Sequence, residues 1–293
     1  MFILNKIPPY FWKLVFALFF TLTLLPLLIP NTDSVKFVNT SEKFSTEFRK
    51  YNSINKCYEY IDNINHLSGK ETSIDTIVYV NSVSNFFKER FYHGLSIYSF
   101  QDNWIAYLTS KLFWSHLSAI VDPDDILKHS EGLCSQQNIA FTELLKFKGI
   151  TSRSVGLGTK EGPGHFLTEV LYNGSWHLYD IDVEPKWEVL QFNHLSIDSL
   201  IKNRGLLYAI YDNKLQKSHV DKIIKTVKYG NPNDFPAKKM LIFHKVTFFL
   251  TYLLPFIFFL LFIKSFYKNK IMSNIHKRVD SQEYLKEELV KQQ

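Results

Sequence analysis

Cys134, His165 and Asp180 stand in that order within a 49-residue run from Gly132 to Asp180. A thiol, an imidazole and a carboxylate are the parts of a nucleophile, its base and the group that fixes the base's tautomer, the set needed for acyl transfer through a thioester. Cys134 begins CSQQNIAFTELLKF, which reads as the first turn and body of a helix. Unpaired N–H groups and the positive dipole end at such a position favour a thiolate. His165 can take the thiol proton and return it to a leaving amine. The backbone N–H of Cys134 is the nearest oxyanion donor. A second donor must come from upstream, where Gln101, Trp104 and Trp114 are unranked candidates.

The elements around these residues follow from pattern. The helix predicted over 133–147 carries Ile139, Ala140, Leu144, Leu145 and Phe147, and stops at Gly149, a common helix terminator. Strands are expected over 151–158, 164–172 and 175–182. Between the last two, Asn173-Gly174 is the dipeptide favoured in a two-residue hairpin, because both central residues take positive φ. That turn pairs Tyr172 with Ser175, and hence Leu167 with Asp180 and His165 with Asp182. Alternation puts His165, Leu167, Glu169 and Leu171 on one face with Trp176, Leu178, Asp180 and Asp182. Asp180 is then a diagonal neighbour of His165, and Asp182 its direct opposite; both stay open as its partner. His177 falls on the other face, as a surface histidine away from His165. Glu169 and Arg153 read as structural charges, and Trp176 as packing beside Asp180 to dry the His–Asp contact. No HExxH and no CxxC occurs, so neither a metal nor a cofactor is expected.

Gly-Leu-Cys at 132–134 ahead of an amphipathic helix, Gly149-Ile150 with Arg153, Gly164-His165, Asn173-Gly174, Trp176 and an aspartate four residues later together resemble the transglutaminase-like cysteine superfamily. The resemblance spans residues 130–185. It implies a papain-like α+β domain, with N-terminal helices packed on an antiparallel sheet, and a Cys134–His165–Asp180 triad acting on a protein or peptide amide. The family's aspartate is commonly followed by proline, whereas Pro185 comes five residues after Asp180 here.

Two apolar runs flank this domain, 11–29 and 246–263, each about long enough to cross a hydrocarbon core of about 30 Å. No small-x-small cleavage site follows the first, so it reads as an uncleaved anchor. Lys+Arg against Asp+Glu is 2 to 0 over residues 1–30, 22 to 24 over 31–237, and 10 to 4 over 238–293. The near-neutral middle excludes a basic nucleic-acid face. Lys264, Lys268, Lys270, Lys277 and Arg278 beyond the second run, with Lys6 and Lys13 at the first, put both termini (1–10 and 264–293) in the cytoplasm and the domain 31–237 outside. Lys238 and Lys239 oppose that assignment, and Lys245 must snorkel. Helices are expected over 44–65, 75–92 and 102–120, with short ones in SIDSLIKN and HVDKIIKTVKYG. The second cysteine, Cys57, reads as a small buried hydrophobe in a helix rather than a disulfide partner of Cys134.

The function expected is thioester-mediated hydrolysis or acyl transfer in a bacterial envelope, with envelope proteins or cell-wall peptides as substrates. The alternative is a non-catalytic scaffold on the same fold, holding partners in a surface-polysaccharide or secretion complex.

Overall fold

The computed structural model describes residues 8–28, 42–67, 75–158, 164–212 and 214–291. The polar segment 31–43, which the sequence suggests as a short stalk, lies almost wholly outside them, as does most of 157–164, a glycine-rich connection between the first two expected strands. Helices and an antiparallel sheet make the chain α+β. It divides into two compact units: Asp33–Ile97 with Ala119–Leu241, and Met1–Thr32 with Tyr98–Ser118 and Ile242–Gln293.

The first unit holds Cys134, His165 and Asp180. Its four-stranded sheet has the order Ser175–Tyr179, His165–Tyr172, Ser152–Gly158, Thr226–Tyr229, all neighbours antiparallel. The hairpin forms in the expected register, with Tyr172 opposite Ser175 and Glu169 opposite Leu178. Asn173 and Gly174 take φ of 50° and 72°, the left-handed values this turn demands. Thr226–Tyr229 is the end of the segment expected to be helical. Its alternating Thr-Val-Lys-Tyr extends the sheet along Ser152–Gly158 instead, so cross-strand pairing overrode a weak helical pattern.

Val155, Leu157, Leu167 and Leu178 pack with Ile197, Leu200, Leu207, Ile210 and Tyr211 in one core. The Cys134–Phe147 helix is fixed to the sheet by a buried polar clamp. Asn138 Nδ2 donates to Thr168 Oγ1 at 2.6 Å, and its Oδ1 accepts from Ser154 Oγ at 2.8 Å. Ile139, Ala140, Leu144 and Leu145 are buried as expected, whereas Phe147 is exposed. Gly149 ends the helix at φ 82°, and Ile150 N–H turns back to the Leu145 carbonyl at 2.9 Å, closing it as a left-handed residue permits. Arg90, itself buried, donates to the carbonyls of Leu127, His129 (2.9 Å) and Tyr51 (3.3 Å). It thereby pins the chain a few residues ahead of Cys134.

In the second unit, Phe100–Leu112 bends at Asn103 (φ −152°, ψ 84°) and ends earlier than the helix expected over 102–120. Asn103 explains the break: its Oδ1 accepts from Ala106 N–H at 3.1 Å and its Nδ2 donates to Thr247 Oγ1 at 2.8 Å. These side-chain bonds compete with the helical ladder. Phe19 stacks on Phe258 at 4.7 Å, and Thr23 Oγ1 donates to the Thr251 carbonyl at 3.0 Å. Among the described residues one helix is long and apolar enough to cross a membrane, within Lys238–Ile275. Two were expected. Pro9–Leu28 is a helix, but its described apolar stretch, Tyr10–Leu24, falls short of that length. The C-terminal helix does not stop with the apolar run; it continues unbroken from Lys238 to Lys291 through Pro255.

Candidate functional site

Cys134 is the first residue of its helix, and Leu133 before it supplies no side-chain cap. Gln136 and Gln137 N–H turn back to the Leu133 carbonyl at 2.8 and 2.9 Å, so the N–H groups of Cys134 and Ser135 are the ones left at the helix end. The loop ahead is held by Gln136, whose Oε1 accepts from Leu133 N–H (3.2 Å) and Ser96 N–H (3.0 Å). Its Nε2 donates to the carbonyls of Ser96 (2.7 Å) and Ile120 (2.8 Å). Just before His165 the chain is pinched. A Cβ on Gly164 would meet the Leu157 carbonyl oxygen at 2.4 Å, so only glycine lets the two strands approach this closely.

His165 Nε2 lies 2.7 Å from Asp180 Oδ2, and both side chains are buried. The ring's other nitrogen remains for Cys134: the thiol sulfur, a His165 nitrogen and an Asp182 oxygen all lie within 4.8 Å of one another. Burial alone would lower the His165 pKa. The charge and hydrogen bond of Asp180, with Cys134 adding to them, instead carry it well above the ordinary value. Burial would likewise raise Asp180, yet the His165 charge and hydrogen bond, Val183 N–H (3.0 Å) and Tyr211 O–H (2.8 Å) hold it below the usual carboxylate range. The arrangement favours the imidazolium form of His165 beside the thiol.

The two aspartates are sorted by where the ladder ends. The strand stops at Tyr179, short of the 182 expected. Asp180 Oδ1 then accepts from Val183 N–H, a side-chain turn that lifts the following residues out of register. Asp182 is carried to a different histidine: His93 Nδ1 donates to it at 2.9 Å, and Gln137 Nε2 at 2.9 Å. The direct opposition of His165 and Asp182 does not occur because the second strand has already ended.

The structure also places the other residues that the sequence singled out. Arg153 donates to Glu169 Oε2 from Nε (3.0 Å) and Nη2 (2.7 Å), and Ile197 N–H reaches Glu169 Oε1 at 2.8 Å, a structural pair as expected. Trp176 lies under the Arg153 guanidinium at 4.1 Å. Asp180 is covered by Tyr211, which the sequence offered no local signal for. His177 stays away from His165, but it is half-buried rather than on the surface, stacked on Tyr172 at 3.7 Å with Nδ1 on the His194 carbonyl at 2.5 Å. Cys57 and Cys134 are free thiols. Burial pushes Cys57 up to about 12 despite the nearby Arg90 charge.

Cys134, His165 and Asp182 are close enough in principle for a metal, but Asp182 already accepts from His93 and Gln137, and the His165 nitrogen not held by Asp180 is hydrogen-bonded to Cys134. We read the group as a thiol site.

No family model and no curated protein matches the chain. Among solved structures, one described as "Crystal structure of a TGase" matches at 17% identity and a TM-score of 0.27, covering 51% of this chain and 35% of that one. A likeness of that size carries no argument, and the match spans about a third of that structure's length.

The His165–Asp180 pair sets a pH window for stability. Unfolded values are about 6.5 for histidine and about 3.9 for aspartate. The raised His165 value stabilises fully below about 6.5, and that contribution is lost as pH rises through the folded value. The lowered Asp180 value stabilises above about 3.9, and that contribution is lost as pH falls through its folded value. The thermal midpoint of the wild type is therefore expected to exceed that of Asp180→Asn most between about pH 4 and 6.5. A gap that widens steadily into the alkaline range would contradict the pairing.

Proposed function

We propose that this chain is a transglutaminase-like thiol enzyme, anchored to a membrane, that forms a thioester between Cys134 and the acyl part of a protein or peptide amide. The observation that carries the reading is His165 held between a buried carboxylate and a thiol at a helix N-terminus. In this reading the Cys134 thiolate attacks the carbonyl carbon, and the carbonyl π pair moves to oxygen. Collapse expels the amine, which takes the His165 proton. His165 then takes a proton from water or an acceptor amine as that group attacks the thioester, and the thiolate leaves. Asp180 keeps the imidazole in one tautomer throughout. Water is the default acceptor, so hydrolysis is the activity proposed, with envelope proteins or cell-wall peptides as substrates.

Iodoacetamide labelling of the full chain in detergent tests the thiol. Cys134 should react while folded at a pH well below the free-thiol value of about 8.5. His165→Ala should slow that reaction at least tenfold near pH 6, and His177→Ala should leave it unchanged. Labelling only after denaturation would favour the scaffold alternative.

The lysine-rich flank after the apolar part of Lys238–Lys291 supports a cytoplasmic C-terminus, with the first apolar run as the second pass. A phosphatase fused after Gln293 is expected to be inactive and one near Thr72 active. The reverse pattern would place the thiol site in the cytoplasm.

A further inference from the structure

The nucleophile's unit contains a second histidine–aspartate pair that the reaction above does not use. His93 belongs to a short strand, Tyr92–His93, that pairs in parallel with Glu131–Gly132, so His93 sits opposite Gly132, two residues before Cys134. Gly94 N–H donates to the Gly132 carbonyl at 3.4 Å, and His93 N–H to Glu42 Oε2 at 2.7 Å. The ring is anchored through Nδ1 to Asp182, whose side chain is 2% exposed, while the His93 side chain is 53% exposed. Asp182 in turn lies within 4.8 Å of the Cys134 sulfur and a His165 nitrogen. His93 and Asp182 also line a cavity of about 310 Å³ with Phe91, Gln137 and Ile181, so Asp182 is shared between that cavity and the thiol's surroundings.

Thiol acylation needs two donors on the developing oxyanion, and Cys134 N–H supplies one. Gln101, Trp104 and Trp114 all belong to the other unit. Around Cys134, Gln136 Nε2 is committed to Ser96 and Ile120, and Gln137 Nε2 to Gly132 and Asp182. Among the described residues, His93 Nε2 has no partner.

We infer that His93 is the second oxyanion donor, its Nε2–H meeting the carbonyl oxygen as that oxygen turns negative under attack by Cys134. The inference rests on the thiol-acyl reading above. Because Nδ1–H is spent on Asp182, Nε2 donates only from the imidazolium form. Asp182 and Glu42 face the ring and favour that form, while His165 opposes it. The same cavity also carries Lys43, Lys88, Glu184 and Lys214.

The test compares two reactions of one thiol in the full chain: acylation by p-nitrophenyl acetate, which passes through an oxyanion, and alkylation by iodoacetamide, which does not. The p-nitrophenolate leaving group needs no proton, so His165 acidity does not enter the comparison. His93→Ala is expected to cut acylation about 10²- to 10³-fold while alkylation stays within about twofold. His93→Gln, with an amide donor that does not titrate, should regain at least tenfold over Ala. The wild-type ratio of acylation to alkylation should fall on the alkaline side as His93 loses its proton, and the His93→Gln ratio should be flat. Equal ratios in wild type and His93→Ala, or a parallel fall of both reactions, would overturn the assignment. A wild type that alkylates but never acylates would sink the thioester reading, and this inference with it.

Discussion

Cys134→Ala is expected to reduce turnover of an amide or ester reporter by about six orders of magnitude, to the uncatalysed background. Losing the nucleophile of such a triad costs about 2 × 10⁶ in turnover, and no other thiol can replace it. Cys57 is fully buried in Ile54–Leu67, its Sγ is 3.5 Å from the Tyr51 carbonyl, and burial holds it protonated. The variant should fold normally, since Cys134 is partly exposed and takes no part in the Asn138 clamp. Comparing thermal midpoints and reporter turnover checks both halves. A Cys134→Ala protein that retained more than a hundredth of the activity would remove the thiol from the mechanism.

Asp180→Asn should lower turnover by about 10⁴-fold with the fold intact. Some thiol enzymes use asparagine at the corresponding place, so the expectation needs a local reason. Asp180 accepts from three donors: His165 Nε2–H and Tyr211 O–H at Oδ2, and Val183 N–H at Oδ1. An asparagine keeping its oxygen on Val183 turns its amide N–H₂ toward His165 and Tyr211. The imidazole then adopts the other tautomer, with its proton facing Cys134 and no lone pair to accept one. The flipped amide sets N–H₂ against Val183 N–H. Asp182→Asn should cost tenfold or less, about 1.4 kcal/mol, at a pH low enough to keep His93 protonated, because an amide oxygen still accepts from His93 Nδ1–H. Steady-state rates of the two variants decide the matter. If Asp182→Asn were the more damaging while folding held, the assignment of Asp180 would be wrong.

Local signals in the sequence were enough for the Cys134 helix and the hairpin. Gly149 and Asn173-Gly174 leave the chain few conformations, and a two-residue turn fixes register by counting. The same arithmetic failed at Asp182, because it extended a ladder that Asp180 itself ends by bonding Val183 N–H. Tyr211 and His93 were out of reach for a different reason. Each is placed by tertiary packing, Tyr211 from a helix-rich segment with weak periodicity and His93 from a strand of two residues whose partner lies 39 positions away. The Arg153 stack on Trp176 had no local signal, since it depends on strands brought together by the sheet. The break at Asn103 likewise depends on a side-chain bond to Thr247, far along the chain.

The most direct test is to acylate the full chain with p-nitrophenyl acetate, quench in acid and find the acetyl group by peptide mass spectrometry. The account predicts one acetyl thioester, on the peptide containing Cys134, formed quickly in the wild type and very slowly in His165→Ala. An acetyl group on Cys57, or none on any thiol, or an adduct on Cys134 that forms as fast without His165, would contradict it.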